Sequence, residues 1–279
     1  MLTSSVKGTI PILMYHSISQ HATPKFKPFA VSPVLFAEQM AYLHRHAFTP
    51  ITVTQLAQAL SQVGTSLPEH PVVITFDDGF ADFFTDALPV LMRYNFTATL
   101  YVTTGFINGT SGWLQHEGEA SRPMLTWHQL AEICAQGIEC GTHSHSHPQL
   151  DTLPLSVATH EIVQSKKLIE EHLGVAVTSF AYPFGYYTAA LQKQVQAAGF
   201  TSACAVKFAM SSPSTDLFAL ARLMIEADTN IDDFAALLHR GSSSVFTTMY
   251  IRARTPVWQV VRRSSASVKR HLSGGILAQ

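Results

Sequence analysis

The chain has 279 residues, 47 % of them apolar and only 13 % charged. That composition excludes a disordered chain and leaves room for one large α/β domain or two small ones. Residues 1–240 hold twelve basic against nineteen acidic residues, a net −7, and an acidic body is the wrong surface for nucleic acid.

The N-terminus has no apolar run behind a positive start, so no secretory signal is read there, and a cytoplasmic location is the expectation. No stretch reaches the roughly 18 apolar residues of a membrane span. Ile10 to Tyr15 reads as a buried strand ending at His16. Ser32 followed by Pro33 is a helix start, and Phe36, Met40 and Leu43 continue it at helical spacing. Thr49 to Val53 reads as a brief strand, and Thr54 as the cap of a short helix. Val72-Val73-Ile74 is a β-branched run between Pro71 and Gly79, the pattern of a strand buried on both faces. A helix is expected from about 81 to 94, kinked at Pro89. A strand follows over 96–102, then a long aperiodic loop over 105–123 that contains Trp113. Thr126 opens the next helix, and a strand leads through Cys140. The helix expected over 151–173 has Val157, Ile162, Leu168 and Ile169 facing inward. Strands at 177–182, 200–206 and 217–225 are separated by one more helix, and a helix at 231–239 closes the body. Alternation in steps of roughly 30 residues predicts parallel strands wrapped by helices, either a barrel or a doubly wound sheet.

Two clusters carry the chemistry. The central strand ends in Asp77 and Asp78, two adjacent carboxylates that repel each other. A solvated Asp-Gly turn would explain them equally well if they stood alone. A later strand runs into Thr142-His143-Ser144-His145-Ser146-His147-Pro148, three histidines in five residues. In mostly parallel sheets, ligands and chemistry collect at the carboxyl ends of strands. One carboxylate and two imidazoles make a three-ligand metal set with a position open for water. The three cysteines, Cys134, Cys140 and Cys204, give no disulfide framework and fit a reducing compartment. Cys140 beside the histidines reads as a buried small apolar residue rather than a ligand.

Thr-Phe-Asp-Asp-Gly after one strand, His-Ser-x-x-His after a later one and Tyr-Pro-Phe-Gly after the next stand here in that order. Together they resemble the polysaccharide deacetylase family, the NodB-homology domain of carbohydrate esterase family 4. The opening Ile-Leu-Met-Tyr-His and the Phe-Ala-Tyr-Pro-Phe-Gly turn are similar to its exopolysaccharide-cluster subgroup. The resemblance spans about residues 8 to 240 and implies a distorted (β/α)7-type barrel of mostly parallel strands. Residues 1–240 are then the deacetylase domain and 241–279 a basic tail.

The resemblance further implies hydrolysis of N-acetyl groups on an amino sugar, polymeric or lipid-linked, with a bound Zn2+ or another divalent ion such as Co2+ or Ni2+. It assigns Asp77 as general base and Asp78, His143 and His147 as metal ligands. Pro183, Phe184 and Trp113 are expected to meet substrate, while His145 falls where the family fixes nothing. Two departures stand out. The family's third motif places an Arg where this chain has Ala181. Arg222 is the candidate replacement, with an ordinary ion pair to the acidic body as its other reading. No strand-borne match to the family's late Leu-x-His motif is found. Leu237-Leu238-His239 sits in a helical pattern, so His239 is read as a surface residue and His16 as the better site candidate. Two other functions remain open at this point: a sugar-binding protein that has lost catalysis, and an amidohydrolase for a non-sugar amide.

The tail holds Arg252, Arg254, Arg262, Arg263, Lys269 and Arg270 and no acidic residue. If 256–272 is helical, Val257, Val260, Val261, Val268 and Leu272 share one side. Such a helix suits the inner face of an anionic membrane or docking on the acidic body.

Overall fold

A computed structural model describes residues 9–61, 66–206, 210–212 and 215–240. The basic tail and its expected helix lie outside the described residues. In chain order the strands and helices are β1 (Ile12–Tyr15), β2 (Ser17–Ile18), β3 (Ala30–Val31), α1 (Pro33–Arg45), β4 (Thr49–Ile51) and α2 (Val53–Ser61). Next come β5 (Pro71–Phe76), α3 (Leu88–Arg93), β6 (Thr99–Val102), α4 (Trp127–Ala135), β7 (Glu139–Thr142) and α5 (Leu155–Leu173). The body ends with β8 (Ser179–Ala181), α6 (Ala189–Ala197), β9 (Ser202–Cys204), β10 (Leu223–Met224) and α7 (Ile231–Arg240).

The sheet runs β10-β1-β5-β6-β7-β8-β9, with β4 also on β5, and every pairing is parallel. It is a curled, mostly parallel sheet wrapped by helices, the distorted (β/α)7-type barrel expected. Its ends approach each other through the segment before β10. Leu220 exchanges backbone hydrogen bonds with Ala203 and Ala205 beside β9, and Leu223 and Met224 then pair with β1. The single strand expected over 217–225 is therefore broken: Leu217–Ala219 is a 3₁₀ turn, and the chain touches β9 and β1 in succession. Ser17–Ile18 against Ala30–Val31, a separate two-stranded pair, was not visible in the hydrophobic pattern.

Strand alternation sorts the apolar residues into two cores. On β5, Val72, Ile74 and Phe76 join the large cluster shared with the helices. Val73 joins Ile12, Ile51, Tyr101, Ala181, Cys204 and Leu220 in a smaller cluster on the opposite, concave face. Thr75 and Asp77 continue the parity of Val73, which carries Asp77 toward the concave face.

Capping chemistry starts several helices. Ser32 Oγ accepts from Leu35 N at 3.2 Å, and Thr126 and Gln129 form a reciprocal capping box on α4. Helix α2 is capped by Thr52, whose Oγ1 accepts from Gln55 N at 3.1 Å, rather than by Thr54. Thr54 instead donates its hydroxyl to Glu139. The expected kink at Pro89 takes the form of a π-helical turn, Phe83–Ala87, that ends where α3 begins, so Pro89 sits in a first turn. Helix α5 starts after Pro154 and buries Ala158, Glu161, Ile162, Ser165 and Ile169. Val157 therefore faces solvent, at 46 % exposure, contrary to the inward position expected. Among the described residues no helix is long and apolar enough to cross a membrane.

Candidate active site at the carboxyl ends of the strands

The β5 ladder continues one residue past the strand, with Asp77 N donating to Tyr15 O at 3.0 Å. Asp78 then adopts a left-handed backbone, φ 73°, followed by Gly79 at φ 88°. A Cβ on Gly79 would lie 3.0 Å from Val102 Cγ1, so a side chain there is opposed by both space and φ. The turn separates the two carboxylates. Asp77 goes to Arg222 and Asp78 to the histidines.

Arg222 is fully buried just before β10. It grips Asp77 bidentately, Nη1 to Oδ1 at 2.6 Å and Nη2 to Oδ2 at 2.7 Å. Nη1 also reaches Thr75 Oγ1 at 3.3 Å, Nε donates to Ala205 O at 3.3 Å, and the guanidinium stands 5.6 Å over the Tyr101 ring. Burial, the largest single influence, raises the Asp77 carboxyl; the charge and hydrogen bonds of Arg222, with His143 and His16, together outweigh it and hold the group below the ordinary carboxylate range. Arg222 thus reaches the Asp77 carboxylate at the end of β5, and the ion pair is buried.

His143 continues β7, its N donating to Val102 O at 2.9 Å. Its Nδ1 lies 2.8 Å from Ala181 O, and since a carbonyl only accepts, Nδ1 carries the proton. That leaves the Nε2 lone pair facing the carboxylates. Burial pushes the imidazole down to about 4, so it is neutral at neutral pH. His147 Nε2 stands 3.2 Å and His143 Nε2 3.6 Å from Asp78 Oδ1. The ligand atoms of Asp78, His143 and His147 all lie within 4.8 Å of one another. Bonds of about 2.0–2.2 Å at tetrahedral angles would separate ligands by about 3.4 Å, so the set fits a small divalent cation. Asp78 Oδ1 is buried without a hydrogen bond, an orphaned acceptor that a cation would satisfy.

The loop carrying the histidines is built for its shape. Ser144 and His147 both have left-handed backbones, φ 63° and 57°, which non-glycine residues adopt at a cost. Ser144 Oγ accepts from His147 N at 3.1 Å. Glu161, buried on α5, accepts from His145 N at 2.9 Å, Ser146 N at 2.7 Å and Ser146 Oγ at 2.6 Å. His145 is half-buried, with Nδ1 2.9 Å from Thr104 Oγ1, and is not part of the ligand set. Glu161 and the Ala181 carbonyl were missed from sequence. A carboxylate on the inward face of an amphipathic helix was the signal for Glu161; a main-chain acceptor leaves none.

The His147 ring packs against Trp113 at 5.2 Å and Phe184 at 4.8 Å. Trp113 also meets Phe80 and Phe106, which seat the long loop against the site. Arg122 ties that loop down through Asp82, Glu119 and the His21 carbonyl. Phe184 is 47 % exposed at φ 60°, while Pro183 is buried. Trp127 stacks on His172 at 3.9 Å rather than on the His pair. His16 Nδ1 is buried without a partner. Burial lowers its pKa while the charges of Asp78 and Asp77 oppose that, so His16 shares their electrostatic surroundings. His239 is exposed on α7. Cys140 is buried against Cys134 and takes no part in the ligand set.

The family model for polysaccharide deacetylases matches residues 64–203, half of the chain, across both the Asp-Asp and the His motifs. The chain belongs to the polysaccharide deacetylase family. Among members, it is 28 % identical to the Bacillus subtilis protein YxkH over 82 % of this chain and 76 % of that one. The poly-beta-1,6-N-acetyl-D-glucosamine N-deacetylase of Staphylococcus aureus is 22 % identical, over 74 % of this chain and 71 % of its own. The structure of the Streptococcus pyogenes deacetylase PplD in complex with acetate superposes with a TM-score of 0.72 at 26 % identity, covering 83 % of this chain and 99 % of that one.

Proposed function

We propose that this polysaccharide deacetylase family member is a divalent-metal-dependent hydrolase that removes N-acetyl groups from an amino sugar carried on a polysaccharide or glycolipid. The observation that carries the reading is the buried Asp78 oxygen facing two imidazole Nε2 atoms, that of His143 left as a lone pair because its Nδ1 donates to the Ala181 carbonyl. Asp78, His143 and His147 would hold Zn2+, Co2+ or Ni2+. Such an ion supplies Lewis acidity, lowering the pKa of water and polarising the acetyl carbonyl.

The protein's own groups do the rest. Asp77, oriented by the Arg222 fork and held ionised with its help, would take a proton from attacking water. The Ala181 carbonyl fixes the His143 tautomer. The leaving amine needs a proton, and Asp77, having just gained one, is the nearer source by chemistry. His16 is the second candidate, but its lowered pKa leaves it neutral at rest, so it must first be protonated. Phe184, exposed beside His147, offers an apolar face to a sugar ring, with Trp113 behind the same imidazole and Pro183 fixing the turn. The location proposed is cytoplasmic, with the basic segment 241–279 either docked on the acidic body or in peripheral contact with the inner membrane face. Loss of vesicle binding on truncation after residue 245 tests that attachment, and equal pelleting of both forms removes it.

The test of function is acetate release from N-acetylglucosamine oligomers and polymers by metal-loaded protein. Release is expected from the wild type and abolished in Asp77→Asn, which still binds Co2+. Sugar binding without acetate release by the wild type would overturn the hydrolase in favour of a binding protein.

A further inference from the structure

A second pair of reactive groups lies away from the carboxylate–histidine cluster. Cys134 is the next-to-last residue of α4 and Cys140 the second residue of β7. The chain between them reverses at Gly137, φ 83°, and brings the two Sγ atoms to 2.9 Å. Cys204, by contrast, is buried on the concave face with its Sγ 3.3 Å from the Tyr101 hydroxyl.

We propose that Cys134 and Cys140 are a reversibly oxidised dithiol, in which Cys134 attacks a low-molecular-weight disulfide and Cys140 resolves the adduct. Only about 0.9 Å separates the present sulfur contact from an S–S bond of about 2.05 Å, so the sulfurs themselves need move little to close. Access divides the roles. Cys134 is partly exposed and can meet a small disulfide, whereas Cys140 is 5 % exposed and can meet only Cys134. Ionisation divides them the same way. The hydrogen bond from Cys140 lowers the Cys134 thiol, and donating that bond, with burial, raises Cys140. An accessible, more acidic thiol beside a resolving one is the arrangement that oxidises selectively.

The exchange balances. The Cys134 thiolate attacks one sulfur of the small disulfide, whose S–S bond breaks and releases one small thiol. Cys140 then attacks the Cys134 sulfur of the mixed disulfide, gives up its proton and releases the second small thiol. The protein loses two hydrogens and the small disulfide gains them. The bond would tie the end of α4 to the strand that delivers His143, three residues beyond Cys140.

The experiment uses the full chain, reduced and then equilibrated with excess oxidised glutathione. Thiol titration in denaturant is expected to fall from three groups to one, with Cys204 the survivor. Peptide mapping should find the 134–140 segment lighter by two hydrogens, and dithiothreitol should restore it. Cys140→Ser should stall with one glutathione on Cys134, and Cys134→Ser should keep both remaining thiols. Three thiols surviving in the oxidised wild type, or glutathione remaining on Cys134 while Cys140 is intact, overturns the proposal. Uptake of glutathione at Cys140 in Cys134→Ser overturns the division of roles.

Discussion

Arg222→Met removes the cation from a carboxylate that is itself only 2 % exposed. Both groups are buried and the contacts are 2.6 and 2.7 Å, so solvent screening does little to discount the loss. An uncompensated buried charge of this kind costs about 3–5 kcal/mol. The pH dependence follows from Asp77. Its pKa is held below the ordinary value, so the pairing stabilises the fold above the unfolded pKa of about 3.9 and is lost as pH falls through the folded one. In Arg222→Met, burial is opposed only by the weaker influence of His143 and His16, and Asp77 rises. The deficit is then full at neutral pH and shrinks as acid protonates the stranded carboxyl. Urea denaturation of EDTA-treated protein across the acid-to-neutral range reads this directly. Asp77→Asn strands Arg222 in turn, so the double variant should cost less than the sum of the singles, by up to about 3 kcal/mol. A single-variant deficit below about 1 kcal/mol at neutral pH, or strict additivity, would refute the claim that this pair is a buried, mutually dependent unit.

Asp77→Asn should lower kcat by at least about 100-fold while Co2+ affinity stays close to wild type, measured by acetate release and by titration of the visible Co2+ spectrum. His143→Ala and Asp78→Asn should each abolish that spectrum at stoichiometric metal, because each removes one of the three proposed ligands. Glu161→Ala, which frees the loop between the two histidines, should weaken Co2+ binding by about 10–100-fold. An unchanged affinity with only a lower melting temperature would reduce Glu161 to a stabilising residue. Gly141→Ala should destabilise by about 1–3 kcal/mol in urea titration, since a Cβ there falls 2.6 Å from the Tyr101 ring and 2.9 Å from Ser179 O.

The strand ends and their polar clusters were legible because each is a local pattern, an apolar run abruptly followed by carboxylates or imidazoles. The capping of α1 and α4 was legible for the same reason. What sequence left open was set by distant partners. Asp77 and Arg222 are 145 residues apart, and only the curl of the sheet brings them into contact. Thr54 has the chemistry of a cap, but the half-buried Glu139 takes its hydroxyl, so the helix starts from Thr52. The inward face of α5 was misjudged at Val157 because the pattern was phased on apolar residues. The buried row instead passes through Ala158 and Glu161, one small and one charged. The segment 217–225 has the composition of one strand, yet it must reach two neighbours in turn and so breaks.

The group that aims the His143 ring is a piece of main chain, the carbonyl of residue 181. Every amino acid carries the same carbonyl, so no replacement at that position can delete the acceptor. A saturation library there would sample bulk and packing against the concave face while leaving ring orientation untouched. Swivelling the imidazole requires a shift of β8 along its neighbours. This half of the centre therefore withstands point substitution in a way that Arg222, a single removable side chain, does not.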